Sequence, residues 1–388
     1  MYDDIADNPS NPQPGVVINS PKGSDVYAGV PKDYTGESVT ASNLFAVLLG
    51  NETRVKGGSK KVIKSKPNDK IFLFYSDHGG PGVLGMPNPP YSLFADQFIK
   101  VLKTMHASGT YDEMVIYLES CDSGSIFQGL LPKNLNIYVT TAANEKQLSW
   151  ATYCPDDDET LPKGYDTCLG DLYSVSWMED SDSHDLTHET LEQQYLKVKK
   201  RTLNKNQPTA GSNVMQYGTM RINKETVSVY QGSNTQNLSV DPLQSFGPVS
   251  NVDQRDADLY SMWREYNSSK QSSQKKEELL KKIKDITTHR AHLDSSVDMI
   301  KRDLLIGSGL VRGEGSALVD DWDCLRSMVH TFETYCGSLT QYGMKHTRTF
   351  ADLCNNGVTI IAMDGSTQKA CSSHSMGKWN PVMFGYSA

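Results

Sequence analysis

The sequence predicts an α/β fold, a mainly parallel sheet flanked by helices, followed by an all-α C-terminal region. Three observations carry this. Residues 71–75 (IFLFY) and 114–118 (MVIYL) are continuous β-branched and aromatic runs of strand length, the signature of strands buried on both faces. Helical stretches alternate with such runs, and a β-α-β-α-β order requires right-handed crossovers and a parallel sheet. Beyond residue 254 the apolar residues recur at helical spacing.

In chain order, residues 16–18 (VVI) lead through Gly and Pro punctuation to a helix over 40–49. A strand at 70–75 follows, then a Gly- and Pro-rich loop at 79–90, a helix at 93–105 and a strand ending at Cys121. Residues 136–141 (NIYVTT) form a third strand; a helix near 187–201 precedes a strand candidate at 212–217. Residues 232–253 lack periodicity, are rich in Ser, Asn, Gln and Pro, and read as a linker. Leu279, Ile283, Ile286, Leu293, Val297, Ile300 and Leu304 then mark one face of a long helix, read as bundle core. Shorter helices after 315 carry the last four cysteines.

At 388 residues the chain can hold two domains. Its net charge of −8 sits on the front part: residues 1–244 carry 29 Asp and Glu against 21 Lys and Arg, while 245–388 carry 17 of each. That balance argues against a nucleic-acid partner, and no apolar run reaches the ~18 residues that span a bilayer. None of the seven cysteines forms a CxxC pair or matches a common zinc pattern, so no metal or cofactor is expected. Setting Cys121 aside leaves six, enough for three bridges. With the sequons at Asn51, Asn237 and Asn267 they favour an oxidising compartment. The first fifteen residues contain no signal-peptide h-region, which leads to the expectation that the chain lacks its beginning.

The chemistry concentrates at two strand ends. One run ends at His78 and the other at Cys121, and glycines follow both (Gly79, Gly80, Gly124). Open α/β sheets place their sites at the carboxyl ends of strands, so neighbouring strands bring an imidazole and a thiol to one rim. A thiolate nucleophile needs such a base and N–H donors for the oxyanion, here the backbone N–H groups of Gly79 and Cys121. This is the pattern of a cysteine–histidine hydrolase.

The segments YSDHGGPGVLG, ESCDSGSIF, CLGDLYSVSWMEDS and VMQYG resemble the legumains, or asparaginyl endopeptidases, in particular the plant vacuolar processing enzymes. The resemblance covers nearly the whole chain. It implies a caspase-like sheet, His78 as general base, Cys121 as nucleophile, and cleavage of protein or peptide substrates after Asn, more slowly after Asp at acidic pH. It implies an S1 pocket made from Glu119, Ser149 and Asp171, a gatekeeper position at Ala151, and an aspartate capable of succinimide formation at Asp77. It also implies the bridges Cys154–Cys168, Cys324–Cys354 and Cys336–Cys371. By the same resemblance the chain divides into a peptidase core at 1–231, an activation segment at 232–253 and a death-domain-like inhibitory prodomain at 254–388. Gln254 is the implied pseudo-substrate, with Asn251 and Asp253 as processing sites, the vacuole as location and a zymogen that can dimerise. Five histidines of the prodomain (His289, His292, His330, His346, His374) suggest release by acid.

Departures from the family add expectations. Relatives begin with a strand followed by an Asn-Tyr-Arg-His segment, whereas MYDD resembles the end of their second strand. The first strands, the orienting Asn and the amide-reading Arg are therefore expected to be missing, and the activity impaired. Residues 156–159 are acidic where plant relatives carry prolines. Peptide ligation and a purely inhibitory truncated homologue are the alternative functions.

Overall fold

The structure is a computed structural model that describes residues 1, 5–8, 11–21, 23–155, 161–162, 164–204, 210–233, 251–268, 271–305 and 312–372. Asn237, His374, the acidic stretch at 156–159 and most of the expected linker lie outside these residues.

Helix α1 (Ala41–Leu48) starts where the Thr40 hydroxyl accepts the Asn43 N–H at 3.1 Å. Strand β1 (Lys70–Ser76) follows. The expected loop after it is instead a small antiparallel sheet of β2 (Gly79–Gly80), β3 (Val83–Gly85) and β4 (Ser92–Phe94). Strands this short show no period, so only their glycines and prolines are legible. Helix α2 (Ala95–Ala107) leads to β5 (Glu113–Glu119), β6 (Ile137–Thr141), β7 (Trp150–Thr152) and β8 (Gly170–Asp171).

Helix α3 (Leu172–Ser183) has no counterpart in the sequence reading. Its buried positions include Ser174, Ser176 and Asp180, so its inner face does not register as an apolar stripe. Helix α4 (Leu191–Thr202) begins at a Thr190–Gln193 capping box, four residues after the expected start, and β9 (Met215–Gly218) follows.

The central sheet runs β1-β5-β6-β9, with the first three strands parallel and β9 antiparallel to β6. Strand β5 is buried throughout and its side chains alternate between two layers. Met114, Ile116 and Leu118 join Phe98 and Leu102 of α2, while Val115 and Tyr117 join Tyr173, Leu191 and Tyr195. Helices thus cover both faces of a mainly parallel sheet, as expected. Burying each such side chain stabilises by ~1.5–3 kcal/mol.

Short α5 (Ser228–Gln231) ends the first part. Val252 and Asp253, assigned to the linker by sequence, form strand β10 (Val252–Asp253). Then come α6 (Ala257–Asn267), α7 (Ser273–Leu304), α8 (Trp322–Cys336), α9 (Thr340–Gly343), α10 (Thr347–Asn355) and α11 (Ile360–Ala370). The Ser272 hydroxyl caps α7 through Lys275 N, and the expected apolar face is buried from Leu279 to Ile300. Disulfides join Cys154 to Cys168, Cys324 to Cys354 and Cys336 to Cys371, the pairs the resemblance implies.

The helical region does not stand apart. Leu293, Val297, Leu325 and Phe332 share one apolar cluster with Val83, Leu84 and Phe98. Gly80 shows how close the approach is, because a Cβ there would collide with the backbone of Met344.

Candidate active site

Strand register places the two reactive residues. Ser76 of β1 pairs with Glu119 of β5, so His78 and Cys121 each lie two residues beyond the same rung. Asp77 N continues the pairing by donating to Glu119 O at 3.2 Å. Next to His78, a Cβ on Gly79 would stand 2.7 Å from Cys121 O and from the Ser120 hydroxyl. Only glycine lets the two turns meet this closely.

The Cys121 thiol is free and fully buried. Ser149 N donates to Sγ at 3.3 Å, the Ser149 hydroxyl lies 3.6 Å away, and the thiol faces Gln254 Oε1 at 3.7 Å. Burial pushes the thiol up to about 11, against the pull of the Arg255 charge. His78 is pushed down to about 4 by burial first, then by the charges of Arg255 and Arg290. Its Nδ1 is buried and has no hydrogen-bond partner among the described residues. The pair therefore rests as thiol and neutral imidazole.

Gln254 occupies the site. Strand β10 adds antiparallel to β7, with Val252 opposite Ala151 and Asp253 opposite Trp150. Gln254 N then donates to Ser149 O at 3.2 Å. The Gln254 side chain turns inward: its Oε1 accepts from the Ser149 hydroxyl at 2.9 Å, and the amide also meets the Asp171 carboxyl. Asp171 pairs with Ala151 from the other side, so Ala151 sits between the strand of the occupant and the strand of the pocket. Burial pushes the Asp171 carboxyl up to about 7, although part of the residue reaches the surface.

Glu119 lies deeper. It is fully buried, accepts both the N–H and the hydroxyl of Ser174, and is raised well above the usual carboxylate range by burial and then by Asp171. The structure thus brings Cys121, Ser149, Asp171 and Gln254 into one cluster with Glu119 behind it. No hydrogen bond joins His78 to Cys121 among the described residues.

Sequence reasoning missed a set of charges around this cluster. Buried Asp122, held in a left-handed conformation (φ 52°), pairs with Arg255 at 2.7 Å and with Arg348 at 3.4 Å. Arg255 also donates to Gly79 O at 3.0 Å. Arg290 of α7 holds Arg255 O at 2.7 Å, Asp256 at 2.6 Å and Asp258 at 2.8 Å. The one available signal was position: Arg255 follows Gln254, and Asp122 follows Cys121.

The remaining expected residues spread more widely. Asp77 Oδ1 accepts the N–H of His78 at 2.6 Å, which sets its carboxyl against the nitrogen that a succinimide would join. Asn51 is half-buried and Asn267 exposed. His289 and His292 contact the carbonyls of Ser338 and Cys336, and His346 contacts Asp294 at 2.8 Å. Asp180, His184 and Glu189 have metal-ligand spacing, but the Lys197 ammonium already lies 3.3 Å from Asp180 and 2.6 Å from Glu189. Among the described residues no helix is long and apolar enough to cross a membrane.

Comparison with known proteins accounts for the arrangement. Residues 1–233 match the Peptidase C13 family and residues 281–371 the legumain prodomain. The chain is 57% identical to a vacuolar-processing enzyme of Ricinus communis, across all of this chain and 80% of that protein. It is 55% identical to the vacuolar-processing enzyme beta-isozyme of Arabidopsis thaliana and 54% to legumain of Canavalia ensiformis, covering 81% and 83% of those proteins. A thiol and an imidazole level at two strand ends, followed by a helical region that matches the prodomain, fit that likeness. The chain belongs to the Peptidase C13 family and is a legumain-type cysteine endopeptidase with its prodomain.

Proposed function

We propose that this chain is an asparagine-specific endopeptidase zymogen in which residues 1–231 are the peptidase core, 232–253 the activation segment and 254–388 the inhibitory domain. The observation that carries the reading is the Gln254 carboxamide set against Cys121, on a strand added to β7 as a substrate would be. Glutamine is asparagine with one more methylene, so its amide fits the same donor and acceptor from a misplaced backbone.

In the reaction, His78 takes the proton of Cys121 and the thiolate attacks the carbonyl carbon of the Asn residue. The N–H groups of Gly79 and Cys121 hold the oxyanion. Collapse expels the new amine, which receives the proton from His78. Water, deprotonated by His78, then hydrolyses the thioester and restores the thiol. Asp171 accepts from the Asn NH₂ group, and the Ser149 hydroxyl donates to its oxygen. The names of its relatives support a vacuolar setting, and Asn51 and Asn267 are the described glycan candidates.

The test is cleavage of an Asn-containing peptide by the full chain at mildly acidic pH. Cys121→Ala should abolish it and His78→Ala should lower it at least 10³-fold. Undiminished turnover by Cys121→Ala would remove the assignment.

A further inference from the structure

We propose that Ser174 is a positioning residue for asparagine recognition: with Glu119 it caps helix α3 from outside, and this leaves Asp171 free to read the amide. The inference rests on the reading of Asp171 given above.

The first residues of a helix present N–H groups without intrahelical partners, and a side chain at the N-cap normally accepts one of them. In α3 the N-cap position belongs to Asp171, a residue type strongly favoured there, yet its side chain makes no capping hydrogen bond. The N–H it would ordinarily take, at the third helical residue, is that of Ser174. That N–H goes instead to Glu119 Oε2 at 2.9 Å, and the Ser174 hydroxyl donates to the same oxygen at 2.8 Å. A carboxyl group from the end of β5 thus does for α3 what the helix's own Asp171 would do.

Both donors fall on Oε2, while Oε1 is buried without a hydrogen bond among the described residues. Glu119 therefore faces Ser174 and stands behind the pocket, and Asp171 is the carboxyl that meets the Gln254 amide. Without the Ser174 hydroxyl, Glu119 is held by one donor instead of two. Asp171 then competes for the Ser174 N–H, and each time it caps its helix it leaves the amide. Ser174 acts on substrate through Asp171 and touches none of the reacting atoms.

The experiment uses the intact chain and reads how tightly Gln254 covers Cys121, so it does not depend on turnover. Alkylation of Cys121 by iodoacetamide should be roughly tenfold faster in Ser174→Ala, the effect of losing one hydrogen bond to a buried carboxyl. Ser174→Thr, which keeps the hydroxyl, should restore the parent rate. Asp171→Asn should also speed alkylation, and adding Ser174→Ala to it should change nothing further, because both act at one contact. With an Asn peptide, Ser174→Ala should raise KM about tenfold and leave kcat within about twofold. An unchanged alkylation rate, or independent effects of Ser174→Ala and Asp171→Asn, overturns the proposal. Loss of thermal stability that Ser174→Thr restores while alkylation stays at the parent rate in both variants also overturns it. Its failure is separable from that of the peptidase reading, which the Cys121→Ala variant decides alone.

Discussion

The Ser149 hydroxyl donates to Gln254 Oε1 at 2.9 Å, while the Asp171 carboxyl meets the same amide. The hydroxyl holds the amide oxygen, and a carboxyl that burial pushes up to about 7 lies near the same amide. The sequence reading placed Ser149 in the pocket with Glu119 and Asp171, and its hydroxyl is the group that donates to the amide oxygen. Ser149→Ala should therefore lower kcat/KM for an Asn peptide by roughly 10²-fold, because the amide oxygen is left buried without a partner. Steady-state kinetics with matched Asn and Ala peptides measures it, and equal losses on both peptides would deny Ser149 this role.

Gln254→Asn should convert the occupant into a cleavable residue. Self-processing at mildly acidic pH, followed by mass spectrometry of the fragments, should accelerate at least tenfold over the parent. Equal rates would mean that the Gln254 side chain does not hold the site closed.

The Arg255–Asp122 pair is buried on both sides, and removing one partner of such a pair typically costs 3–5 kcal/mol. Asp122→Ala should therefore expose Cys121 to alkylation at neutral pH, where the parent is protected. Asparagine at 122 keeps the left-handed backbone at lower cost and should give a smaller effect in the same assay.

Acid acts on the closed form in two opposite directions. His78, pushed down to about 4, holds stability that is present above its unfolded value near 6.5 and is lost as pH falls through about 4. His292 and His346 are also lowered, both mainly by burial, and act in the same sense. Asp122, Asp253 and Asp258 are raised by burial, so their protonation favours the closed form and opposes release. Asp294, which burial raises but its hydrogen bonds with Tyr342, Lys345 and His346 lower on balance, acts in the same sense as the histidines, so acid release is assigned to these groups together. His78→Gln should flatten the decline of Tm between pH 6.5 and 4, as followed by calorimetry; an unchanged slope would assign the acid response elsewhere. Asp171 has the opposite sign to His78. Its stabilising share is complete below about 3.8 and is lost as pH rises through about 7.

The bridges of the helical region close separations of 30 and 35 residues. Replacing Cys324 and Cys354 together by Ser should destabilise that region by about 3 kcal/mol, read from its denaturant transition. An unaltered midpoint would show that helix packing alone holds it.

The parts legible in the sequence were those with a strong period or a reactive terminus. The β1 and β5 runs, the α7 stripe and the reactive positions 78 and 121 could all be read directly. The small β2-β3-β4 sheet could not, because strands of two or three residues carry no pattern. Helix α3 escaped because its inner face mixes apolar Leu172, Tyr173 and Val175 with buried serines and an aspartate, among them Ser174 that serves Glu119 and Asp180 that serves Gln194. Arg255, Arg290 and Arg348 were illegible as a group, since only the folded chain sets all three around Asp122 and the Gln254 turn.

Strand β10 belongs to the same polypeptide as the β7 edge it covers. The occupant and its site are therefore never separated by diffusion, and their encounter is governed by tether length. A pairing of only Val252, Asp253 and Gln254 is too short to hold as a free peptide, and the packing of the helical region on Val83, Leu84 and Phe98 keeps it in place. Diluting the protein leaves the closure intact, whereas one cut between residues 232 and 252 turns a unimolecular contact into a bimolecular one. Because β10 is so short, closure after such a break rests on the apolar cluster that the helical region shares with Val83, Leu84 and Phe98.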